Sequence, residues 1–193
     1  MSLPEIILAS KSPRRRELLG RLYPEFKIFT LEVDESLDEG LDIKCGTELL
    51  AIRKGEAVSK EIGQDSVVIS SDTLVELDGV ALGKPADEEA AFLMLSQLSG
   101  RAHNVHTGVA VHYKGRVFSS VATSRVHFRD ITPEEIREYI ATGEPMDKAG
   151  SYGIQGEGGK FVLGYDGDFD TIMGLSVGLT EKLVNEALEA CND

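Results

Sequence analysis

The stretch from Ile6 to Leu19 constrains the fold more than any other part of this chain. Ile6, Ile7, Leu8 and Ala9 form a continuous apolar run, and Pro13 follows shortly after, leading three consecutive arginines. Such a run alone suits a buried strand or a buried helix. Pro13 separates the two, because proline favours the first position of a helix and is excluded from its interior. The stretch therefore reads as strand, loop, helix, with Ser12 as the helix N-cap. Arg14, Arg15 and Arg16 then fall in the first turn, where the positive end of the helix dipole disfavours cations. An anion would compensate. Free backbone N–H groups, the hydroxyls of Ser10 and Ser12 and several guanidiniums together make a receptor for phosphate oxygens. The plainer alternative is that the arginines coat a solvated face and the serines only cap it.

Composition narrows the class of partner. The chain has 193 residues, 41% of them hydrophobic, enough to bury the core of one domain. Its 20 Lys and Arg against 33 Asp and Glu give a formal charge of -13, which argues against a nucleic-acid or anionic-membrane binder. The basic cluster near the N-terminus is thus local, suited to a small anion. Cys45 and Cys191 offer no metal-ligand spacing, and with no signal peptide they read as reduced thiols in a cytoplasmic protein. No apolar stretch reaches membrane-spanning length.

Further along, Phe26 to Glu32 alternates as a strand would, and Val33 to Gly46 is an acidic, glycine-bearing loop that contains Asp34 and Glu35. Thr47 is the expected cap of a helix running to about Ile62, with Lys54 on it. Val67 to Leu77 is a β-branched strand interrupted by Ser70, Ser71, Asp72 and Thr73. It is followed by the hairpin dipeptide Asp78-Gly79 and by Gly83, Lys84 and Pro85. An unpaired carboxylate in a buried strand costs several kcal/mol, so Asp72 must be hydrogen-bonded, metal-bound or on a cleft. Asp87 caps a helix ending at Gly100. Ala102 to Arg129 makes two long strands joined at Lys114-Gly115, and Thr132 opens a helix with a capping box. His103, His106, His112 and His127 lack helical i, i+4 pairing and read as polar strand residues, not as a zinc site. The segment "EPMDKAGSYGIQGEGG" is an irregular, glycine-rich loop of the kind that carries function. One or two strands around Gly167 and a helix from Ser176 to Ala190 finish the chain.

Several of these segments carry a resemblance. "LASKSPRRRELL" is similar to the opening signature of the Maf family of nucleoside triphosphate pyrophosphatases, L-A-S-x-S-P-R-R-x-E-L-L, with every fixed position present. "SDT" followed by "LGKP" resembles the second family motif. "GRAHNVHTGVAV" resembles a third through His103, Val105, Thr107 and Gly108. "LAIRKGEAV" keeps the family lysine as Lys54 but has Gly55 where alanine is usual, and Ser70-Ser71 stands where Gly-Ala commonly precedes the Asp-Thr pair. "DKAGSYGIQG" resembles the branch that acts on dTTP and UTP, more than the 7-methyl-GTP branch.

The resemblance implies an α/β fold over residues 1–193, with a long mixed β-sheet flanked by helices and a cleft between two lobes. It implies hydrolysis of dTTP and UTP, with modified pyrimidine nucleotides as further candidates, to nucleoside monophosphate and pyrophosphate, assisted by a divalent cation, Mg or Mn. The implied catalytic set is Asp72, Glu35, Lys54, Lys84 and Gln155. Ser10, Arg14, Arg15 and Thr73 are expected at the substrate phosphates, which the two lysines also reach, and Asp72 and Glu35 at the metal. Arg16 occupies the family's variable position. Glu32 and Asp34 flank Glu35, which is assigned by aligning "VDES". The implied partner is the nucleoside triphosphate, with no nucleic acid or membrane, and the implied assembly is a homodimer. A nucleotide-binding regulator of cell division or septum formation is the alternative class, a 7-methyl-GTP-type pyrophosphatase the alternative branch.

Overall fold

A computed structural model describes residues 3–38 and 40–191. The opening stretch folds as its residues require. Strand β1 (Ile6–Leu8) is fully buried, and helix α1 (Pro13–Gly20) begins at the proline, with the Ser12 hydroxyl accepting from the Arg15 N–H at 3.4 Å. Strand β2 (Lys27–Ile28) pairs parallel with β1. It is much shorter than the alternation from Phe26 to Glu32 predicts. β1 offers only Ile7 and Leu8 as partners before the chain turns toward α1; the Phe29 N–H still donates to the Leu8 carbonyl at 3.2 Å, and the edge ends there.

Helix α2 (Ile43–Ile62) starts earlier than expected. Asp42, not Thr47, is the N-cap and accepts from the Cys45 N–H at 3.2 Å. Thr47 lies one turn inside, where its hydroxyl donates to the Ile43 carbonyl at 2.7 Å. A carboxylate satisfies the free N–H groups at a helix start and suits the dipole, so the acidic cap prevails.

Strands β3 (Val67–Leu77) and β4 (Val80–Leu82) form a hairpin whose turn residues Asp78 and Gly79 both have positive φ, as a two-residue turn of this type demands. Helix α3 (Glu88–Leu98) is capped by Asp87, whose carboxylate accepts from Ala90 N–H at 2.8 Å. Strands β5 (Ala102–Tyr113) and β6 (Arg116–Phe128) follow, then helix α4 (Pro133–Ala141) with the reciprocal Thr132–Glu135 capping box. Three 3-10 turns occupy the glycine-rich segment from Glu144 to Phe161. Strand β7 (Val162–Asp166) is succeeded by a short helix α5 (Phe169–Met173), where a second strand was one expectation, and by α6 (Val177–Cys191). Asp168 explains the helix. Its carboxylate accepts from the Asp170 N–H at 3.2 Å and from the Thr171 hydroxyl at 3.0 Å, winding the chain into a turn.

Among the described residues a seven-stranded sheet runs β2-β1-β3-β5-β6-β7, with β4 pairing β3. Its β1 pairings are parallel, and its β3–β4 and β6–β7 pairings are antiparallel, so the fold is the mixed α/β class expected. The chain condenses into two compact units. The first comprises Met1–Asp72, Thr107–Ala122 and Gly174–Asp193, and the second Thr73–His106 and Thr123–Met173. In the first, Ile7, Ala9, Val58 and Val68 pack together. In the second, Leu95, Leu98, Phe128, Ile136, Tyr139, Tyr152 and Phe161 belong to a larger cluster, with Tyr139 and Phe161 in an edge-on ring contact at 5.2 Å. Among the described residues no helix is long and apolar enough to cross a membrane.

The two departures from the family pattern explain each other. A methyl group on Gly55 would lie 2.5 Å from both the His112 Nδ1 and the Ser70 Oγ, while the Ser70 hydroxyl donates to the Ala51 carbonyl of α2 at 2.6 Å. Helix α2 therefore gives up a side chain at position 55 where β3 and β5 carry larger ones. Alanine exceeds glycine in helix propensity by about 1 kcal/mol, yet the imposed overlap typically costs about 1–3 kcal/mol. Gly55→Ala is expected to lower stability, and part of the loss, the share due to the imidazole and not to Ser70, should be recovered when Gly55→Ala is made in a His112→Ala background, as read by urea unfolding against His112→Ala alone.

His112 is buried, with neither ring nitrogen hydrogen-bonded among the described residues, and burial depresses its pKa to about 4. His103 is also brought to about 4, chiefly by burial, and its Nε2 lies 2.7 Å from the Tyr152 hydroxyl. An unfolded histidine titrates near 6.5, so the unfolded chain binds the extra protons first as pH falls from about 6.5 to about 4. Stability is complete above that window and is lost within it. Between pH 7.5 and 5 each histidine should account for about 2 kcal/mol of loss, and His112→Leu should remove its share of that slope in urea titrations at the two pH values.

Candidate active site

In the first unit the loop after β1 and the start of α1 are arranged by two serines in series. The Ser10 hydroxyl oxygen accepts from the Ser12 N–H at 3.2 Å, and the Ser12 hydroxyl caps α1. This fixes the arginines that follow. The Arg15 Nε donates to the Gly174 carbonyl at 2.7 Å, and the Ser71 hydroxyl of β3 donates to the same carbonyl at 2.8 Å. Ser71, a departure from the family dipeptide, thus helps to set the position of the Arg15 partner. Burial lowers the pKa of Arg15 from its usual value, with the charge of Asp72 opposing, Arg14 reinforcing and Glu35 opposing. The Arg14 Nε is buried with no hydrogen-bond partner among the described residues. Leaving a charged donor so is costly unless an acceptor arrives, and an anionic oxygen would supply one. Arg16 is exposed.

Asp72 lies within β3 with its side chain only 10% exposed, and the predicted partner exists. Lys54, projecting from α2, places its Nζ 2.5 Å from the Asp72 Oδ1 and 2.9 Å from the Glu35 Oε1. One ammonium draws two carboxylates together, one nearly buried and the other on the loop before α2. Asp34 is occupied differently: its carboxylate accepts from the Ser36 N–H at 2.9 Å, and that bond holds its pKa below the usual carboxylate value. Among the three acids of this loop considered for the site, Glu35 is the one paired with Lys54.

Thr73, Lys84 and Gln155 belong to the second unit. Lys84 is exposed beyond β4, next to Gly83, whose carbonyl accepts from the Gly150 N–H at 3.1 Å. That bond ties the end of the hairpin to the glycine-rich segment. Gln155 is exposed in a turn closed by the Gly156 N–H donating to the Gly153 carbonyl at 3.3 Å. Ile154, its neighbour, packs against the large apolar cluster. Ser10, Arg14, Arg15, Glu35, Lys54 and Asp72 therefore share the first unit, and the remaining three expected residues share the second.

The histidines take separate partners. His106 lies 2.8 Å from the Thr123 hydroxyl and 2.5 Å from Glu76, and His127 lies 2.8 Å from Asp166. Ser71 and the Gly174 carbonyl were not singled out by the sequence motifs. A backbone acceptor leaves no side-chain signature, and Ser71 was visible only as an unusual residue beside the expected acid.

A profile of the family described as Maf-like protein matches residues 5–187. The chain is 46% identical to a dTTP/UTP pyrophosphatase of Moorella thermoacetica over 184 residues, covering 94% of each. It is 47% identical to one of Pelotomaculum thermopropionicum over 175 residues, covering 90% of this chain and 91% of that protein. Against one of Thermococcus onnurineus it is 44% identical over 178 residues, covering 92% of this chain and 95% of the other. With that match spanning nearly its whole length, the chain belongs to the Maf family.

Proposed function

We propose that this protein is a nucleoside triphosphate pyrophosphatase that hydrolyses dTTP and UTP to the monophosphate and pyrophosphate. Its relatives, similar over nine-tenths of the chain, bear the name dTTP/UTP pyrophosphatase. The structural observation that carries the reading is the convergence of Asp72 and Glu35 on Lys54 in the unit that also holds Arg14 and Arg15. A nucleoside triphosphate repels an attacking oxygen, so its hydrolysis needs cations along the phosphates and a base for water.

The roles follow from that chemistry. Arg14, Arg15 and the Ser10 hydroxyl hold the phosphate chain, the Arg14 Nε gaining an acceptor that the described residues do not provide. Lys54 and Lys84 add charge, and Thr73 supports the neighbouring acid and the phosphates. Asp72 takes a proton from the water whose oxygen attacks the α-phosphorus. The bond from that phosphorus to the bridging oxygen breaks, and its electron pair leaves with pyrophosphate. Gln155 faces the base.

Asp72 and Glu35 would hold a divalent cation. The donor set fits magnesium or manganese, which take one or two carboxylates and complete their shell with water and substrate oxygens. Among the described residues no cluster of three or more His, Cys, Asp or Glu side chains is placed to hold a metal, so a site here depends on such a sparse set. When bound, the ion supplies positive charge to the phosphate oxygens and polarises the phosphoryl group. The same reading treats residues 1–193 as one Maf-type domain that forms a homodimer, on the resemblance, and takes it as cytoplasmic because its two cysteines read as reduced thiols. Pyrophosphate release from UTP, dTTP, CTP, ITP and 7-methyl-GTP, with each metal in turn, tests substrate and cofactor together.

A further inference from the structure

The glycine-rich segment around Gln155 is built on a carboxylate. The Glu144 Oε1 accepts from the Glu157 N–H at 3.1 Å and its Oε2 from the Gly158 N–H at 3.1 Å. The Tyr139 hydroxyl donates to the same carboxylate and accepts from the Gly153 N–H at 3.1 Å. Residues 153, 157 and 158 are thus all tied to one polar pair, and Gln155 stands between these ties. The pair is itself held: Tyr139 is fully buried against Phe161, and the Glu144 carbonyl accepts from the Lys148 Nζ at 2.8 Å.

The glycines match this arrangement. A methyl on Gly156 would overlap the Glu144 Oε1, 1.4 Å away, and one on Gly158 would lie 2.6 Å from the Tyr139 hydroxyl. These positions lack side chains because a carboxylate and a phenol occupy the space, so their glycines serve close packing. Ile154 anchors the turn to the apolar cluster on one side of Gln155, and the Glu144 bonds fix it on the other.

We propose that Glu144 is a positioning residue for substrate discrimination, its carboxylate holding the backbone that presents Gln155 to the base. This rests on Gln155 facing the base, as set out above. A side chain on a fixed backbone loses little freedom when it meets its ligand, whereas one on a loose loop must be ordered at binding and discriminates less.

The test measures kcat/KM with magnesium for UTP and ITP on the full-length protein, for Glu144→Ala, Gln155→Ala and the double variant. Amide hydrogen exchange across residues 153–158 is followed alongside. Gln155→Ala should lower the UTP-to-ITP ratio at least tenfold, and Glu144→Ala at least fivefold. The double variant should fall no lower than Gln155→Ala, because both changes act on one interaction. Exchange at the Glu157 and Gly158 amides should rise at least tenfold in Glu144→Ala and stay within twofold in Gln155→Ala. Gly156→Ala, whose methyl would displace the Glu144 carboxylate, should reproduce the loss of ratio and covers the event that Glu144→Ala does not fold. A ratio lowered by Gln155→Ala but untouched by Glu144→Ala or Gly156→Ala overturns the positioning role and leaves the Gln155 reading standing. A ratio untouched by Gln155→Ala overturns both. Effects that multiply in the double variant also overturn the proposal.

Discussion

Asp72→Asn is expected to lower kcat on UTP and dTTP by at least about 10³-fold, with KM changed by less than about threefold. Positioned general bases contribute about 10²–10⁴ in rate, and the amide also removes one of the two carboxylates assigned to a cation. Asparagine keeps the shape of the side chain and can still accept from the Lys54 ammonium, so the fold should persist. Binding should persist as well, since the groups assigned to the phosphate chain are Ser10, Arg14, Arg15 and the lysines. A kcat loss with KM preserved is the mark of an interaction made at the transition state. A variant with the wild-type rate would remove Asp72 from the mechanism.

Lys54→Met should be nearly as damaging and for two separable reasons. The ammonium lies within 3 Å of both Asp72 and Glu35, and methionine keeps the aliphatic stem while removing the charge. Stripping one partner from a buried pair costs about 3–5 kcal/mol, and Lys54 and Asp72 form such a pair, to which the exposed Glu35 adds little. Urea unfolding at neutral pH reads this cost. Turnover should fall at least about 100-fold at saturating substrate, because a cation is lost from the phosphates and Asp72 loses the group that fixes its position. Lys54→Arg, with its larger planar head, should not restore the rate. If Lys54→Met unfolded at the wild-type urea concentration and turned over normally, the carboxylate–ammonium cluster would be neither a structural nor a catalytic centre.

What the sequence made legible follows from how local each signal is. Pro13 after an apolar run fixed a strand, a loop and a helix start, because proline restricts its own residue and its neighbours whatever the rest of the fold does. Asp78-Gly79, Asp87 and the Thr132–Glu135 box were equally readable, since each needs only a few adjacent residues. The length of β2 was not, because it depends on how much edge β1 leaves for it. Asp42 and Thr47 are both acceptable caps in type, and the acidic one prevails because its carboxylate both accepts from the Cys45 N–H and suits the helix dipole.

The candidate site divides in the same way. Asp72 could be inferred to have a partner from the cost of burying a carboxylate, but the identity of that partner could not. Lys54 is 18 residues away on another element, and the family motif that holds it points to phosphate. Gly55 stands out in the sequence only as a departure from the usual alanine, and the side chains of His112 and Ser70 are what it makes room for. Glu144 gave no signal at all, because its role lies in accepting from backbone N–H groups of residues whose side chains carry no hint of it.

The most direct test of the central claim is to identify the products formed from UTP and dTTP in the presence of magnesium. Cleavage at the α-phosphorus predicts the nucleoside monophosphate and pyrophosphate in equal amounts, with slower turnover of ITP and 7-methyl-GTP and no burst of orthophosphate. Release of nucleoside diphosphate and orthophosphate, or tight nucleotide binding without turnover of any triphosphate, would contradict it.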